Sequence, residues 1–300
     1  MNTSAAPHAV EITGLSRRFG PKLALNQVSL QVRRGRVFGL VGANGAGKTT
    51  LIKHLLGRLK AENGLVRVFG FDPVVDPVAV LGRIGYLSEN RDLPAWMRVE
   101  ELLRYTAAFY PKWDTGYAEE LRRQFNLDPR AKIKNLSRGE NAKAGLLIAL
   151  AYRPELLLLD EPSSGLDPVV RRDILEAIIR TVADEGRTVL FSSHLLEEVE
   201  RVADDIAMMF NGQVVLTGAL DAVKESHHRL ILRFDSSQPS PPKVPGVLSI
   251  SGSGQEWTAI CNGKRDEAVA AAARAGGRVV AEESPSLDEI FVAWAGTKPE

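Results

Sequence analysis

The chain has 300 residues, a formal net charge of +1, 44% hydrophobic residues and a single cysteine. The balanced charge argues against a nucleic-acid-binding surface, which would show an excess or a cluster of basic residues. One cysteine excludes an intramolecular disulfide framework and is typical of a reducing cytosol. No apolar run reaches the roughly eighteen residues of a membrane-spanning helix, and residues 1–8 lack the apolar core of a secretory signal.

Strands of a small amino-terminal sheet are predicted at Val10–Leu15, Val28–Val32 and Leu65–Phe69. Between the second and third, the apolar strand Val37–Val41 runs into a glycine-rich loop and then the helix Lys48–Leu56. The loop matches G-x-x-x-x-G-K-[ST], whose backbone N–H groups surround phosphate oxygens at a helix N-terminus. The pattern predicts a polyphosphate site formed by Gly42, Asn44, Gly45, Ala46, Gly47, Lys48, Thr49 and Thr50, with Lys48 on the terminal phosphates and Thr49 on Mg²⁺.

Residues 90–151 have a helical pattern, with helices predicted at Val99–Phe109, Gly116–Asn126 and Ala142–Tyr152. The third follows the segment Ser137–Glu140, which has the S-x-x-E spacing of a capping box. A capped helix N-terminus also attracts anions, so this segment is either an ordinary helix start or a phosphate contact.

A buried strand, Leu156–Asp160, ends in one carboxylate and is followed at once by a second, Glu161. Asp160 is placed to hold Mg²⁺, and Glu161 is a candidate base for the attacking water. The other interpretation is a strand terminator, in which Pro162 ends the pairing and the acids face solvent.

Asp167 and Pro168 start a predicted helix, Val169–Thr181, with the acid as N-cap and proline at the first helical position. The strand Thr188–Phe191 then leads to His194. Without further context, a histidine at such a junction is interpreted as a polar cap. Strands at Ile206–Phe210 and Val214–Leu216 complete a mostly parallel core sheet.

From about Lys224 the composition changes, and a polar, proline-rich connector is predicted at Ser236–Pro242. We predict an accessory α+β domain over residues 224–300, with no visible ligand chemistry. Its elements are strands at Leu230–Phe234, Val247–Ser251, Trp257–Cys261 and Arg278–Val280, and a helix at Asp266–Ala275.

The order of these motifs over residues 8–218 resembles the nucleotide-binding subunit of an ABC transporter. The resemblance implies an α/β P-loop NTPase core over 1–223, a helical subdomain at about 90–151, and the cofactors ATP and Mg²⁺. It implies that Glu161 acts as base, that Lys48 and His194 contact the γ-phosphate, and that Phe19 stacks on adenine. For Phe19 the alternative is an ordinary core residue. It also implies a homodimer, or a heterodimer with a related subunit, in which Ser137, Arg138, Gly139, Glu140 and Asp167 serve the partner's nucleotide.

Four positions differ from the family's usual pattern, and at one of them Phe19 replaces the more usual tyrosine. Arg138 replaces a glycine and Glu140 a glutamine in the signature loop, and Glu89 replaces a glutamine that contacts Mg²⁺. A carboxylate also binds Mg²⁺, so Glu89 stays a candidate ligand. A surface loop is the alternative for Glu89, and a regulatory site with poor turnover is the alternative for the whole constellation.

The resemblance further implies integral membrane permease subunits as partners and a location on the cytoplasmic face of the membrane. The carboxyl-terminal segment Ser284–Phe291 resembles ATPases that serve ABC-2-type exporters. The other alternative is a soluble ABC-type ATPase acting on ribosomes or DNA. Such proteins usually carry paired domains, coiled-coil arms or zinc-binding cysteines, and the sequence shows none of these features.

Overall fold

The structure is a computed structural model, and it describes residues 8–183 and 186–296. Two compact units divide the chain, the first ending at Val214 and the second beginning at Val215. The division falls within a strand, whereas the change of composition in the sequence placed the boundary at 223/224, inside the next helix. The predicted absence of a secretory signal concerns residues 1–8, of which 1–7 lie outside the described residues.

The first unit begins with two long strands and continues with alternating strands and helices. In chain order its elements are β1 (His8–Phe19), β2 (Lys22–Arg33), β3 (Val37–Val41), α1 (Lys48–Leu55), β4 (Asn63–Val68), α2 (Pro77–Leu81), β5 (Ile84–Leu87), α3 (Val99–Ala107), α4 (Thr115–Gln124), a 3₁₀ turn (Ile133–Asn135), α5 (Arg138–Leu150), β6 (Leu156–Asp160), α6 (Pro168–Ala183), β7 (Thr188–Ser193), α7 (Leu196–Val202), β8 (Asp205–Phe210) and β9 (Gln213–Ala219), which continues into the second unit.

Two sheets form the framework of this unit. The smaller is antiparallel with the order β2-β1-β4. The larger contains the parallel series β5-β6-β7-β3-β8. Because β3, β6 and β7 are buried along their whole lengths, their apolar runs are typical of a parallel sheet covered on both faces. The carboxyl ends of these three neighbouring strands therefore open together at one edge, where ligands bind in such sheets.

The second unit contains α8 (Leu220–Ser226), β10 (His227–Gln238), β11 (Val247–Asn262), α9 (Arg265–Arg274), β12 (Gly277–Glu283) and α10 (Leu287–Gly296). Its three-stranded sheet has the order β11-β10-β12 with both pairs antiparallel. A separate apolar core lies on this sheet and includes Leu232, Phe234 and Trp257.

One part of the sequence-based assignment is wrong in this unit. The two strands predicted at Val247–Ser251 and Trp257–Cys261 are the single strand β11, and the first three residues of the predicted connector belong to β10. The ladder between β10 and β11 extends, after an irregularity beyond Arg233, to the pair Gln238 and Gly254 at the edge of the Ser/Gly-rich stretch. Backbone hydrogen bonds to a neighbouring strand outweigh the low strand propensity of these residues.

No helix among the described residues combines the length and the apolar character that crossing a bilayer requires.

Candidate nucleotide-binding site

A cleft of about 390 Å³ opens at the carboxyl edge of the parallel sheet. The glycine-rich loop forms one wall, and residues from the small sheet and from the end of β6 form the others. Its lining residues are Phe19, Lys22, Ala24, Asn44, Gly45, Ala46, Gly47, Lys48, Thr49, Thr50, Glu89 and Glu161. The structure thus brings most of the predicted phosphate, base and adenine residues to one place.

The loop reaches α1 through Gly47, whose φ of +108° lies in the region that side chains rarely adopt. A Cβ at this position would lie 2.7 Å from the carbonyl oxygen of Ala24. Only glycine fits here, and it lets the chain turn directly into the helix. The N–H groups of the first helical turn then face the cleft, and no acidic side chain lies in that turn. This helix end therefore suits an anionic ligand.

Lys48 is buried and paired with the candidate base. Its Nζ lies 3.0 Å from Oε1 of Glu161, and both side chains are about 5% exposed. The ammonium also donates to the carbonyl oxygen of Gly42 at 2.5 Å and to that of Ala43 at 3.3 Å. A buried charge of this kind is tolerated because it is paired and hydrogen-bonded.

Asp160 is oriented by two hydroxyl groups. Thr49 Oγ1 and Ser192 Oγ donate to Oδ1 of Asp160 at 3.2 and 2.7 Å. The Ser192 hydroxyl in turn accepts the backbone N–H of Glu161 at 2.9 Å. One serine near the end of β7 therefore contacts both Asp160, the last residue of β6, and Glu161, which follows it.

A threonine hydroxyl beside a carboxylate supplies the oxygen ligands that Mg²⁺ prefers, and Glu89 lines the same cleft. No group of three or more histidine, cysteine, aspartate or glutamate side chains is arranged as a metal site in residues 8–183 and 186–296. This donor set fits Mg²⁺, because that ion usually takes only one or two carboxylates and fills its other positions with phosphate oxygens and water.

Glu161 and His194 also meet. His194 Nδ1 lies 2.7 Å from Oε2 of Glu161, and the His194 backbone N–H reaches the same oxygen at 3.4 Å. Glu161 itself has φ +48°, an uncommon value for a residue with a side chain. Its other carboxylate oxygen, Oε1, is buried and faces Lys48 without a well-aligned hydrogen bond. This carboxylate is thus directed into the site from a strained backbone position, as is common at functional sites.

Phe19 lies at the end of β1 and is 45% exposed. The alternative interpretation as a core residue is therefore wrong for this side chain. The guanidinium of Arg17 lies 4.9 Å from the ring centroid. Phe19 lines the cleft next to the phosphate loop, and its role as an adenine contact stays a prediction.

The predicted signature loop lies elsewhere on the unit. Ser137 caps α5, since the Glu140 N–H reaches the Ser137 hydroxyl at 3.2 Å and the Ser137 N–H reaches the Glu140 carboxylate at 2.8 Å. Gly139 packs against Val170 of α6, where an added Cβ would lie 2.7 Å from a valine methyl. Among the described residues that line the nucleotide cleft, none comes from Ser137–Glu140.

Asp167 caps α6 as predicted, accepting the N–H groups of Val169 and Val170 at 3.0 and 3.1 Å. Its side chain is exposed. Like the signature loop, it does not line the cleft in the described part of the chain.

Sequence reasoning missed several residues that hold the site together. Ser192 orients both carboxylates, as described, and Arg91 donates to the carbonyl oxygens of Pro162 and Ser164 at 3.0 and 2.8 Å. Burial, followed by the nearby Arg138, lowers the pKa of Arg91. Two serines at the end of an otherwise apolar strand were a usable signal, because buried hydroxyls need partners. No local pattern marks Arg91, whose partners lie more than seventy residues away.

Comparison with known proteins decides the family. Residues 25–164 match the family described as ABC transporter. The ABC transporter ATP-binding protein NatA of Bacillus subtilis is 34% identical over 235 residues, covering 75% of this chain and 95% of that protein. The chain belongs to the ABC transporter family. It is an ATP-binding subunit of that family, and its enzyme class is the ABC-type ATPase.

A second relative extends the similarity over nearly the whole chain. The Nod factor export ATP-binding protein I of Rhizobium johnstonii is 30% identical over 310 residues, covering 99% of this chain and 98% of that protein. A solved ATP-binding subunit of an ABC transporter superposes with a TM-score of 0.66 at 30% identity, covering 72% of this chain and 92% of that one. The ABC-type fold predicted from the motifs is thereby confirmed.

Proposed function

We propose that this ABC ATPase hydrolyses ATP in the cleft beside its glycine-rich loop, with Glu161 as the general base. The observation that carries the proposal is the position of the Glu161 carboxylate between Lys48 and His194, at 3.0 and 2.7 Å. A carboxylate held at the phosphate end of the cleft can accept a proton from the attacking water. Lys48 and His194 lie where positive charge or a donated hydrogen bond stabilises the transferred phosphoryl group.

The loop residues and Phe19 bind the nucleotide in this proposal. Backbone N–H groups of Gly45, Ala46 and Gly47, with the first turn of α1 at Lys48, Thr49 and Thr50, contact the phosphates. Phe19 stacks on the adenine ring. Thr49 and Asp160, with Glu89 as a further candidate, hold Mg²⁺, which neutralises charge that develops on the phosphate oxygens.

We further propose that two copies, or this chain and a related subunit, bind ATP between them. The capped N-terminus of α5 then contacts the partner's γ-phosphate through Ser137 and Gly139. Arg138 adds a positive charge there and Glu140 a negative one, so their electrostatic effects partly cancel. Support for a shared site is geometric, since this capped helix end lies apart from the cleft of its own chain.

We propose that the partner in the membrane is a separate permease and that this ATPase works at the cytoplasmic face of the membrane. Export is the direction supported by a relative whose name describes Nod factor export and by the exporter-like segment Ser284–Phe291. In this proposal the transported molecule passes through the permease, so the proposal names no cargo.

The substitution Glu161→Gln tests the proposal. It removes the base but keeps the shape of the side chain, so phosphate release should fall by at least about a hundredfold. Affinity for ATP with Mg²⁺ should persist, and size-exclusion chromatography should show a nucleotide-dependent dimer. Turnover at the wild-type rate would remove Glu161 from its role.

A regulatory subunit that binds ATP with little turnover is the competing function, and the atypical Arg138, Glu140 and Glu89 favour it. The same phosphate-release assay on the wild-type protein decides between the two. Turnover that depends on Mg²⁺ and on Glu161 supports the hydrolase, whereas tight binding without release supports the regulator.

A further inference from the structure

Glu198 is a buried carboxylate that does not line the nucleotide cleft of the described chain. It lies in α7, the short helix after His194, and is 3% exposed. Its Oε2 accepts hydrogen bonds from the hydroxyls of Ser163 and Ser193, at 2.5 and 3.2 Å. Its Oε1 lies 3.1 Å from Nε of Arg171, on α6.

The two serines are placed next to the proposed catalytic groups. Ser163 follows Glu161 by two residues, and Ser193 directly precedes His194. A single carboxylate oxygen therefore ties the loop that carries the base to the strand end that carries the histidine. Glu161 and His194, whose side chains meet at 2.7 Å, therefore lie on two segments that share Glu198 as a hydrogen-bond acceptor.

Arg171 extends the connection to the start of α6. The guanidinium pairs with Glu198 and donates to the carbonyl oxygen of Leu166 at 3.4 Å. Leu166 directly precedes Asp167, which caps the same helix. The segment predicted to contact a second copy is therefore linked to the base and the histidine through two charged side chains.

We propose that Glu198 is a positioning residue. It holds the Glu161 and His194 side chains at hydrogen-bonding distance and links them to the Asp167 segment. This inference rests on the proposed function of Glu161 and His194. A buried ionised group is expensive unless it is paired; here Oε2 accepts two hydrogen bonds, and Oε1 lies at ion-pair distance from Arg171 without a well-aligned hydrogen bond. A carboxylate accepts on both oxygens, whereas the amide of glutamine has two donors on one side. Glu198→Gln therefore cannot keep all three contacts, because the amide has a single acceptor oxygen, and it changes the volume hardly at all.

The first experiment compares Glu198→Gln with Glu197→Gln in the full chain. Glu197 is the exposed neighbour on the same helix, so its substitution removes the same charge without touching the serines. For Glu198→Gln we expect kcat to fall between about tenfold and about a hundredfold, because small displacements of reacting groups have effects of this size. KM for ATP should stay within about twofold of the wild-type value, since Glu198 does not contact the cleft.

A second variant covers the case in which Glu198→Gln does not fold. Ser163→Ala removes the shortest of the three contacts and leaves the charge pair with Arg171. It should also lower kcat, by a smaller factor, with unchanged KM. Wild-type kcat for both Ser163→Ala and Glu198→Gln would overturn the proposal.

A double-mutant cycle separates positioning from a general structural role. In a His194→Ala background the position of Glu161 relative to the imidazole no longer matters. Glu198→Gln should therefore lower the residual turnover much less than in the wild-type protein. The same loss in both backgrounds would mean that Glu198 acts independently of His194, which contradicts the proposed positioning of the pair. A wild-type protein without turnover would contradict the proposed function itself, whereas an active wild type with equally active Glu198→Gln and Ser163→Ala variants contradicts this inference alone.

Discussion

His194 Nδ1 lies 2.7 Å from Oε2 of Glu161, which makes the two candidate groups a hydrogen-bonded pair. The carboxylate accepts, so the imidazole carries a proton on Nδ1. A neutral ring then has an acceptor at Nε2, and a protonated ring has a donor there. The charge of His194 thus decides whether its outer nitrogen accepts a hydrogen bond or donates one to a phosphate.

Removal of Lys48 should affect stability as well as binding. Lys48→Met leaves the buried Glu161 carboxylate without its ammonium partner, which should lower the free energy of unfolding by about 3 kcal/mol and abolish ATP binding. Adding Glu161→Gln to this variant should recover most of the stability without restoring binding, because the uncompensated charge is gone. Urea denaturation of the two single variants and the double variant measures this. Strictly additive losses would mean that the pair has no energetic coupling.

The capping role and the phosphate role of Ser137 can be separated by two substitutions. Ser137→Ala removes the N-cap and should cost about 1 kcal/mol of stability, whereas Ser137→Asn keeps a good cap and should cost little. Both lose the hydroxyl, so both should weaken ATP-dependent dimerisation by at least about tenfold, the equivalent of one hydrogen bond to a charged group. The measurement is sedimentation in the Glu161→Gln background. Wild-type association of Ser137→Asn would limit Ser137 to capping.

Loss of the Phe19 ring should weaken nucleotide binding without unfolding the protein. Phe19→Ala should lower ATP affinity by about 1–3 kcal/mol, the range for bases stacked on aromatic side chains, while Phe19→Tyr should bind normally. Because Phe19 is 45% exposed, its truncation should change the melting temperature little. Affinity for inorganic tripolyphosphate is the control, since it has no base to stack. An equal loss for ATP and tripolyphosphate would argue against stacking.

Acid should destabilise the fold through two buried histidines. His227 is 1% exposed, its Nδ1 faces the carbonyl oxygen of Val223 at 2.6 Å, and its Nε2 accepts from Trp294 at 3.0 Å. Burial lowers the pKa of His227 below its ordinary value of 6.5. Burial also lowers the pKa of His54.

The sign of the effect follows from the direction of these pKa shifts. Well above 6.5, the ordinary pKa of histidine, these residues are neutral in both the folded and the unfolded chain, so they contribute no pH dependence there. As the pH falls below that value, the unfolded chain takes up the protons first, and the free energy of unfolding falls. Urea denaturation between about pH 7.5 and 5.5 should show this loss. The glutamine of His227→Gln cannot titrate. This variant should therefore lose part of the dependence of the free energy of unfolding on pH and keep the part that is due to His54. An unchanged slope would show that His227 is not buried in neutral form.

Much of the site was predictable because its motifs are local. The loop that ends in Lys48 and Thr49 has a spacing that only a phosphate-binding turn needs, and the capping box of Ser137 and Glu140 is complete within four residues. The glycine at position 47 is required by backbone geometry alone. These features depend on neighbours in the chain, and the structure has each of them where the pattern places it.

The supporting contacts were not predictable in the same way. Ser192 meets Asp160 because β6 and β7 pair in parallel with these two residues opposite each other. Ser193 lies opposite Val41, the last residue before the glycine-rich loop. No spacing along the chain encodes such a register, and the continuous strand β11 was missed for the same reason.

The sequence by itself therefore determined the local features: a glycine-rich loop before a helix, two carboxylates at the end of a buried strand, a histidine after the next strand, and a capped helix start. Only the tertiary structure decided how these groups are oriented. It placed Glu161 between Lys48 and His194, and it connected the segments that carry Glu161 and His194 through hydrogen bonds from Ser163 and Ser193 to Glu198. The reason is that side-chain contacts across a parallel sheet depend on strand order and register, which arise from the packing of the whole unit.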